Sequence, residues 1–389
     1  MAMKIRAALC AGALIGGLIL GGAATAQIAV SANDNKAKLV NGVSTVVQNP
    51  PADTITVIDL GQSPPKVLAE LPVPISVVGP PSSVAITPDE GLALITAAMK
   101  INPADPTKVV PDNKLTVVDL KANPPAVIAT LETGSSPAGL SITRDGKLAL
   151  VANRNEGTLS VFTIDGKTVT PAGKVAISDA KSGVSHVAIS PDGRTGLVTR
   201  DGDFKISVIA IDGTNVTYTK RDIHAGLRPY GIDISSKGDV AVVANIGIGG
   251  GDADTISVID LKAKPARVVN TVTVGQTPEG ITLSPDGSIC AVVIMNGSNK
   301  AKESPFFNDN GWLRLFRVQG TNLVHFADAA IGHWSQGAAF SNDGRTILVG
   351  NMVENDVQVF RLDGDKVTEA GRIPVKGGSA AVRIADKPR

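Results

Sequence analysis

The chain has 389 residues, with 37 lysines and arginines against 36 aspartates and glutamates, a formal net charge of +1. So even a balance gives no electrostatic basis for binding nucleic acid, whose phosphates demand a basic surface. Hydrophobic residues make up 43% of the chain, enough for a large core, and its two cysteines, Cys10 and Cys290, are too few for a disulfide-stapled scaffold.

Lys4 and Arg6 form a basic start, an apolar run covers 7–20, and Ala24-Thr25-Ala26 fits the small-x-small cleavage rule. These features predict a signal peptide over 1–26 and a mature chain from Gln27, periplasmic or secreted. A retained anchor is the alternative, but the run is short for a span. Cys10 lies inside that run without a lipoprotein pattern. Cleavage leaves Cys290 alone, so no intrachain disulfide forms. No later apolar run is long enough to cross a bilayer, so the mature chain is expected to have no membrane span and to be a monomer. Residues 27–37, QIAVSANDNKA, are small and polar and predict a flexible N-terminal segment.

A repeat then takes over. Its first landmark is a short strand ending in a tight turn, at 84–89, 140–146, 187–193, 232–238, 281–287 and 338–344, with a last copy at 382–386. The unit at 182–212 shows the logic best. Val187 and Ile189 alternate with small residues, as a half-buried strand does. Ser190-Pro191-Asp192-Gly193 follows as a turn, Pro presetting one φ and Gly accepting a positive one. The second landmark is a strand at 54–60, 115–120, 159–164, 206–211, 256–261, 313–318 and 357–362. The two landmarks are out of phase at the chain ends. The chain begins without a first strand and ends with a first strand alone. A ring in which the C-terminal strand completes the N-terminal blade hides both raw edges. The expected fold is therefore all-β, a seven-bladed propeller over 38–389, at about 52 residues per blade against the usual ~40–50. A parallel β-solenoid does not explain why the two ends complement each other.

The phrase running from Thr277-Pro278-Glu279-Gly280-Ile281 to Asp286-Gly287, and LALVAN at 148–153, resemble the YVTN-type propeller repeat. Ser160 to Asp165 and Ser182 to Gly193 are similar to phrases of seven-bladed lactonase-like propellers. The resemblance covers nearly all of the mature chain and implies the fold. It does not choose among hydrolases, isomerases, redox subunits and binding scaffolds. The Trp-Asp signature of another propeller class is absent, since neither Trp312 nor Trp334 precedes Asp.

In such a meander, connections 1–2 and 3–4 lie on one face. Connections 2–3 and the blade-to-blade links lie on the other. The Asp-Gly turns are uniform, so their face is expected to be bland. Connections 2–3 include long loops at 97–113, 246–255 and 296–311, the last carrying Phe306 and Phe307. Variable loops on a rigid rim are where binding usually lives. The residue just before each first strand lines the channel mouth: Ser83, Ala138, His186, Tyr230, Glu279, Gln336 and Ala380. A base, a phenol, a carboxylate and an amide thus fall on consecutive blades, with His186 or Glu279 as general base near neutral pH and Tyr230 beside them. Arg228 and His333 sit upstream in their blades, and Arg154 and Arg200 follow second strands. All four are candidate ligand-binding groups at the rim, with Gln336. The competing reading is a polar channel that only holds water. The lactonase resemblance implies a role for His186, but the Pro-Arg that precedes the family's histidine is replaced here by Val184-Ser185, leaving Arg228 or Arg200 as substitutes.

No cofactor motif is evident. Asp252 and Asp254 in the Gly-rich loop suggest a Ca²⁺ clamp, short of a full set of oxygen ligands. The GIGGG run lacks the P-loop lysine. Asp59, Asp119 and Asp260, at strand ends, are expected to bond turn backbone. Three functions remain. The first is a periplasmic scaffold binding a small molecule or a periplasmic protein through its loop face. The second is a lactonase-like hydrolase using His186 and Glu279. The third is an accessory subunit of a periplasmic redox system.

Overall fold

The computed structural model describes residues 27–387, and the signal peptide expected over 1–26 lies outside the described residues. Seven four-stranded antiparallel sheets form the seven blades of a β-propeller, with one extra two-stranded hairpin. The N-terminal elements are β1 (Ile28–Asp34), β2 (Ala37–Val40), β3 (Val43–Val46), β4 (Thr54–Asp59) and β5 (Lys66–Pro72). Blade 1 follows as β6 (Val84–Ile86), β7 (Leu92–Asn102), β8 (Asp105–Asp119) and β9 (Ala126–Glu132). Blades 2 to 6 have inner strands Pro137–Ile142, Val184–Ile189, Pro229–Ile234, Pro278–Leu283 and Ser335–Phe340. Blade 7 is composite, in the order Gly378–Ile384, β1, β4, β5. The C-terminal strand thus closes the ring against the N-terminal ones, with Val30 opposite Arg383 and Ala29 opposite Ile384.

The segment expected to be flexible at 27–37 is instead the second strand of blade 7, and every residue of β1 is buried. Its polar side chains are partnered inside the sheet. Ser31 Oγ meets Ser379 Oγ at 2.8 Å, and Asn33 Nδ2 donates to Thr54 and Thr56 at 3.0 and 2.9 Å. Composition read as polar loop here records buried hydrogen bonding. The Pro-rich loop expected at 97–113 is also stranded. β7 and β8 continue past the blade as an arm, with Lys100 opposite Val110 and Ile101 opposite Val109. A two-stranded arm has two free edges, where Pro106 and Pro111 cost the ladder little.

Two devices recur among the blades. In the turn, Asp192 Oδ1 accepts from Ser190 Oγ at 2.6 Å and from Arg194 N at 3.0 Å, while Gly193 takes φ 70°. Hydrogen bonding by Ser190 holds the Asp192 carboxyl below its ordinary range. At the end of the second strand, Asn153, Asn245 and Asn351 each clamp the third strand and the incoming link. Asn245 donates to Thr255 and Ser257 at 3.0 and 2.9 Å and accepts from Gly226 N at 3.1 Å. Asp59, Asp119 and Asp260 accept amide hydrogens two residues on, at 2.8, 3.0 and 2.9 Å.

Candidate functional site at the channel mouth

The inner strands carry a bulge near their start, as between Pro229 and Ile232 or Pro278 and Gly280. A bulge re-aims one side chain out of the pleat, here into the mouth on the loop face. The ladder settles which residue that is. His186 opposes Thr199 as Gly280 opposes Val293, one place beyond Glu279. The expected column therefore mixes two levels. Ser82, Ala138, Ser185, Tyr230, Glu279, Gln336 and Ala380 form the mouth ring. Ser83 and His186 lie one step deeper, level with Gly139, Gly231, Gly280 and Gly337. A one-residue offset was invisible because the bulge hides it.

At that deeper level the channel closes to a waist. A Cβ on Gly139 would come within 2.7 Å of His186 Cδ2 and 2.5 Å of Ser82 Oγ, and one on Gly280 within 2.4 Å of the Gln336 carbonyl. Glycine lets the strands converge around the imidazole. The remaining void is about 10 Å³, roughly one water. His186 Nδ1 accepts from Ile232 N at 3.3 Å, and its Nε2 is buried without a protein partner. Burial, then the Arg383 charge, lowers its pKa to about 3, so it stays neutral. It is not brought beside Glu279 as an acid–base pair.

A second ring surrounds the mouth, made by the residue after each second-strand clamp. Of its members only Arg154, just beyond LALVAN, was singled out from the sequence. The ring reads Arg154, Asp201, Ile246, Met295 and Met352 in blades 2 to 6. The amides of Arg154, Asp201, Ile246 and Met295 donate to the carbonyls of Ser136, Gly183, Arg228 and Thr277, each with φ between 53° and 62°. These bonds tie the two rings in register.

Together the rings build one polar cluster over blades 2 to 5. Arg154 bonds Ser185 and pairs with Asp201 at 2.9 Å; Arg228 pairs with the same carboxylate at 3.2 Å. The Arg154 guanidinium lies 5.8 Å from the centre of the Tyr230 ring. Glu279, 6% exposed, and the Tyr230 hydroxyl, 8% exposed as a residue, border this network with no hydrogen-bond partner among the described residues. Burial raises the Glu279 pKa to about 8, with Arg228 and Arg154 opposing and Asp201 reinforcing. Burial and the Glu279 charge raise the Tyr230 phenol as well. At neutral pH, Glu279 is mostly protonated and the two arginines share one carboxylate. The cluster then carries one uncompensated positive charge, which suits a polar or anionic ligand.

Other expected residues lie elsewhere. Arg200 takes the clamp position that asparagine holds in other blades, opposite Val184 as Asn153 is opposite Pro137. It bonds Ser207 at 3.1 Å and Ser178 at 2.9 Å and pairs with Asp203 and Asp222, which makes it structural. His333 is held on the rim by Glu354 at 2.7 Å and Asp309 at 3.4 Å. Gln336 Nε2 bonds the Trp334 carbonyl at 3.3 Å, and its Oε1 is buried and unpartnered. Asp254 accepts from Thr277 N at 2.9 Å, and no group of three or more His, Cys, Asp or Glu gathers for a metal among the described residues. Phe306 packs on Gly251, where a Cβ would lie 2.4 Å from its ring, while Phe307 is half-buried. Lys300 Nζ reaches the Gly249 carbonyl at 2.5 Å, so the loops at 246–253 and 296–310 form one unit.

The hairpin β2–β3 was not foreseen. It projects from blade 7 across the loop face. Ala37 and Leu39 pack on a cluster containing Met295, Trp334 and Met352, and Gly42 abuts the Lys300–Ala301 backbone. Buried Lys36 fixes its base, pairing with Asp53 at 2.5 Å and with Asp34 at 3.5 Å. The same face gathers exposed apolar side chains. Val40 and Val43 lie on the hairpin, and Val78 and Leu227 on blade links. Phe204, Ile248, Phe306 and Val353 lie on 2–3 loops. The other exposed large apolar residues among the described ones, such as Leu68 and Ile128, lie on outer strands, and none is in a 1–2 or 3–4 turn.

Comparison with known proteins bears on the family and the fold. The family model described as a Choice-of-anchor I domain matches residues 35–244. No curated protein sequence matches the chain. Among solved structures, the periplasmic gluconolactonase of Pseudomonas aeruginosa is similar at 18% identity and a TM-score of 0.68, covering 93% of this chain and 99% of that one. A functionally unknown protein from Desulfotomaculum acetoxidans gives 18% identity and 0.66, with coverage of 93% and 99%. Hydrazine synthase of Kuenenia stuttgartiensis gives 18% and 0.62, with coverage of 81% and 92%. At such identities the likeness shows the fold alone. No helix among the described residues is long and apolar enough to cross a membrane.

Proposed function

Since the chain belongs to the choice-of-anchor I domain family, and its fold is shared with proteins of differing printed functions, we propose from its own surface that it is an exported binding scaffold. Its loop face receives a protein partner, and its channel mouth holds a small polar or anionic group. The carrying observation is the one-sided distribution of exposed apolar residues, eight on the loop face and none on the turns of the opposite face. Exposed apolar side chains gathered on one face around a charged centre are what an interface presents. Export rests on the leader-like residues 1–26. The repeat wording at 277–287 supports a YVTN-type assignment.

The test is affinity capture from an envelope extract with the mature chain. An Ile248→Asp/Phe306→Asp variant is compared with a Val127→Asp/Ile128→Asp variant on an outer strand. A defined partner should be recovered by the wild type and the outer-strand variant and lost by the loop-face variant. Equal recovery by all three would remove the scaffold reading.

The Glu279 cluster favours a second reading, a lactonase-like hydrolase, because a buried carboxyl with a pKa near 8 beside a phenol is poised for proton transfer. The periplasmic gluconolactonase likeness points the same way. In this reading Glu279, not His186, carries the proton. Acid release from a lactone panel, lost in Glu279→Gln, would establish it. The likeness to hydrazine synthase supports the redox-accessory alternative only through the fold.

A further inference from the structure

The face expected to be bland opens into a recess at the channel axis. A cavity of about 300 Å³ lies at the channel mouth between the Asp-Gly turns. A smaller recess of about 40 Å³ shares Asp233 and Arg383 with it and reaches inward to His186. The waist at His186 separates both from the Glu279 cluster, so this site is independent of the proposed function.

Two opposite charges face this cavity without pairing. Arg383, on the closing strand, has no hydrogen bond or ion pair among the described residues, although its charge is felt by Asp233 and His186. Asp233 is enclosed by protein but keeps accessible surface, which opens into the cavity. Its carboxylate accepts from Leu283 N at 2.8 Å and from Thr282 Oγ1 at 3.3 Å, and burial raises its pKa. Arg144, at the rim, bonds the Ser236 carbonyl at 3.1 Å and pairs with Asp386 at 3.3 Å, while its Nε is buried and unpartnered. The rest of the wall is mixed, with apolar Ile234, Phe340 and Ile384 beside polar Ser236, Thr282, Ser284 and Lys387.

Enclosed charges are normally paired. Here Arg383 and the Asp233 carboxyl face one cavity, farther apart than an ion pair, with apolar side chains among its lining. A ligand that satisfies both without importing net charge is a small zwitterion with an apolar body. We propose that the turn-face cavity binds an apolar α-amino acid, its carboxylate on Arg383 and the Arg144 edge and its ammonium on Asp233.

The test is calorimetric titration of the chain from Gln27 with three probes. They are L-leucine, 4-methylpentanoate, which lacks the ammonium group, and 3-methylbutylamine, which lacks the carboxylate. Leucine should bind, and each single-ended analogue should bind at least about tenfold more weakly. Arg383→Gln and Asp233→Asn should each lose leucine binding by a similar factor. Asp233→Asn keeps an acceptor for Leu283 N and removes an ionisable group that burial opposes, so it should remain folded even if a change on the closing strand does not. No leucine binding at millimolar concentration would overturn the proposal. So would equal binding of 4-methylpentanoate, or leucine binding unaltered in folded Asp233→Asn.

Discussion

The two faces of this ring are built from the same repeat yet diverge. On the turn face, four of the strand 1–2 connections, at 143–146, 190–193, 284–287 and 341–344, are short Ser/Thr-x-Asp-Gly units whose side chains bond their own backbone, as Asp192 does with Ser190 and Arg194. Such a turn spends its Ser/Thr and Asp side chains on its own backbone, and the groups that face the cavity, Asp233, Arg383 and the turn residue Arg144, gather at the axis. On the loop face, the connections are free to vary, and in blades 2, 4 and 6 an asparagine clamp fixes the strand ends behind them. That freedom is spent on the β2–β3 hairpin, the joined loops at 246–253 and 296–310, and the apolar rim. A tightly bonded turn ends a blade, whereas a clamp placed behind a loop allows the loop to become a surface.

Four perturbations would break or sharpen this contrast. The largest effect is expected from ending the chain at residue 377. This removes the strand pairing β1 and leaves β1 as a raw edge. The truncated protein should show no cooperative melting transition, and a transition like that of the full chain would refute closure through the terminal strand.

Next in size is the loop-face cluster. Glu279 ionises at about 8 when folded against 4.5 in its reference state. A raised pKa gives stability that is fully present below the unfolded value and is lost as pH rises through the folded one. Wild-type melting temperature should therefore fall between about pH 5 and 9. Glu279→Gln, which mimics the protonated form, should flatten that fall, a difference of roughly 5 kcal/mol at the alkaline end. Identical profiles would place Glu279 in a more hydrated setting. His186 has the opposite sign: its pKa drops from 6.5 to about 3, so its share of stability is present above 6.5 and fades as pH falls.

The clamp comes third. Asn245→Ala leaves the Gly226 amide and two hydroxyls without their partner and should cost about 2 kcal/mol by denaturant titration. It should also raise hydrogen exchange in the 246–253 loop more than in the blade 4 turn at 235–239. The smallest effect is expected in a turn: Asp192→Ala should cost under about 1 kcal/mol, since the turn is exposed and Gly193 still permits its shape. A turn loss as large as the clamp loss would end the distinction between the faces.

Much of the fold was legible in the chain. The alternation of apolar residues, the Asp-Gly turns and the phase mismatch of the two landmarks required seven blades and a closing C-terminal strand. These are local, periodic signals repeated seven times, so errors at one blade are corrected by the others. The site was legible only in part. Tyr230, Glu279, Arg154 and Arg228 do meet, but Asp201, which joins them, passed unnoticed, and Arg200 and His186 were assigned to the mouth. Arg200 stands where the repeat has asparagine, a substitution that keeps a clamp while looking like a free charge. β1 read as a flexible tail because Ser31 and Asn33 are polar in sequence but bonded in the sheet.

What the sequence by itself determined is therefore the architecture, because strand period, turn chemistry and edge pairing are set by neighbours along the chain. What only the tertiary structure decided is which side chains share a space. A single bulge shifts His186 from the mouth to the waist, glycines on four other blades make room for it there, and a strand from each end of the chain sets Arg383 across a cavity from Asp233. Those outcomes depend on backbone offsets and on contacts between blades, which no local pattern encodes.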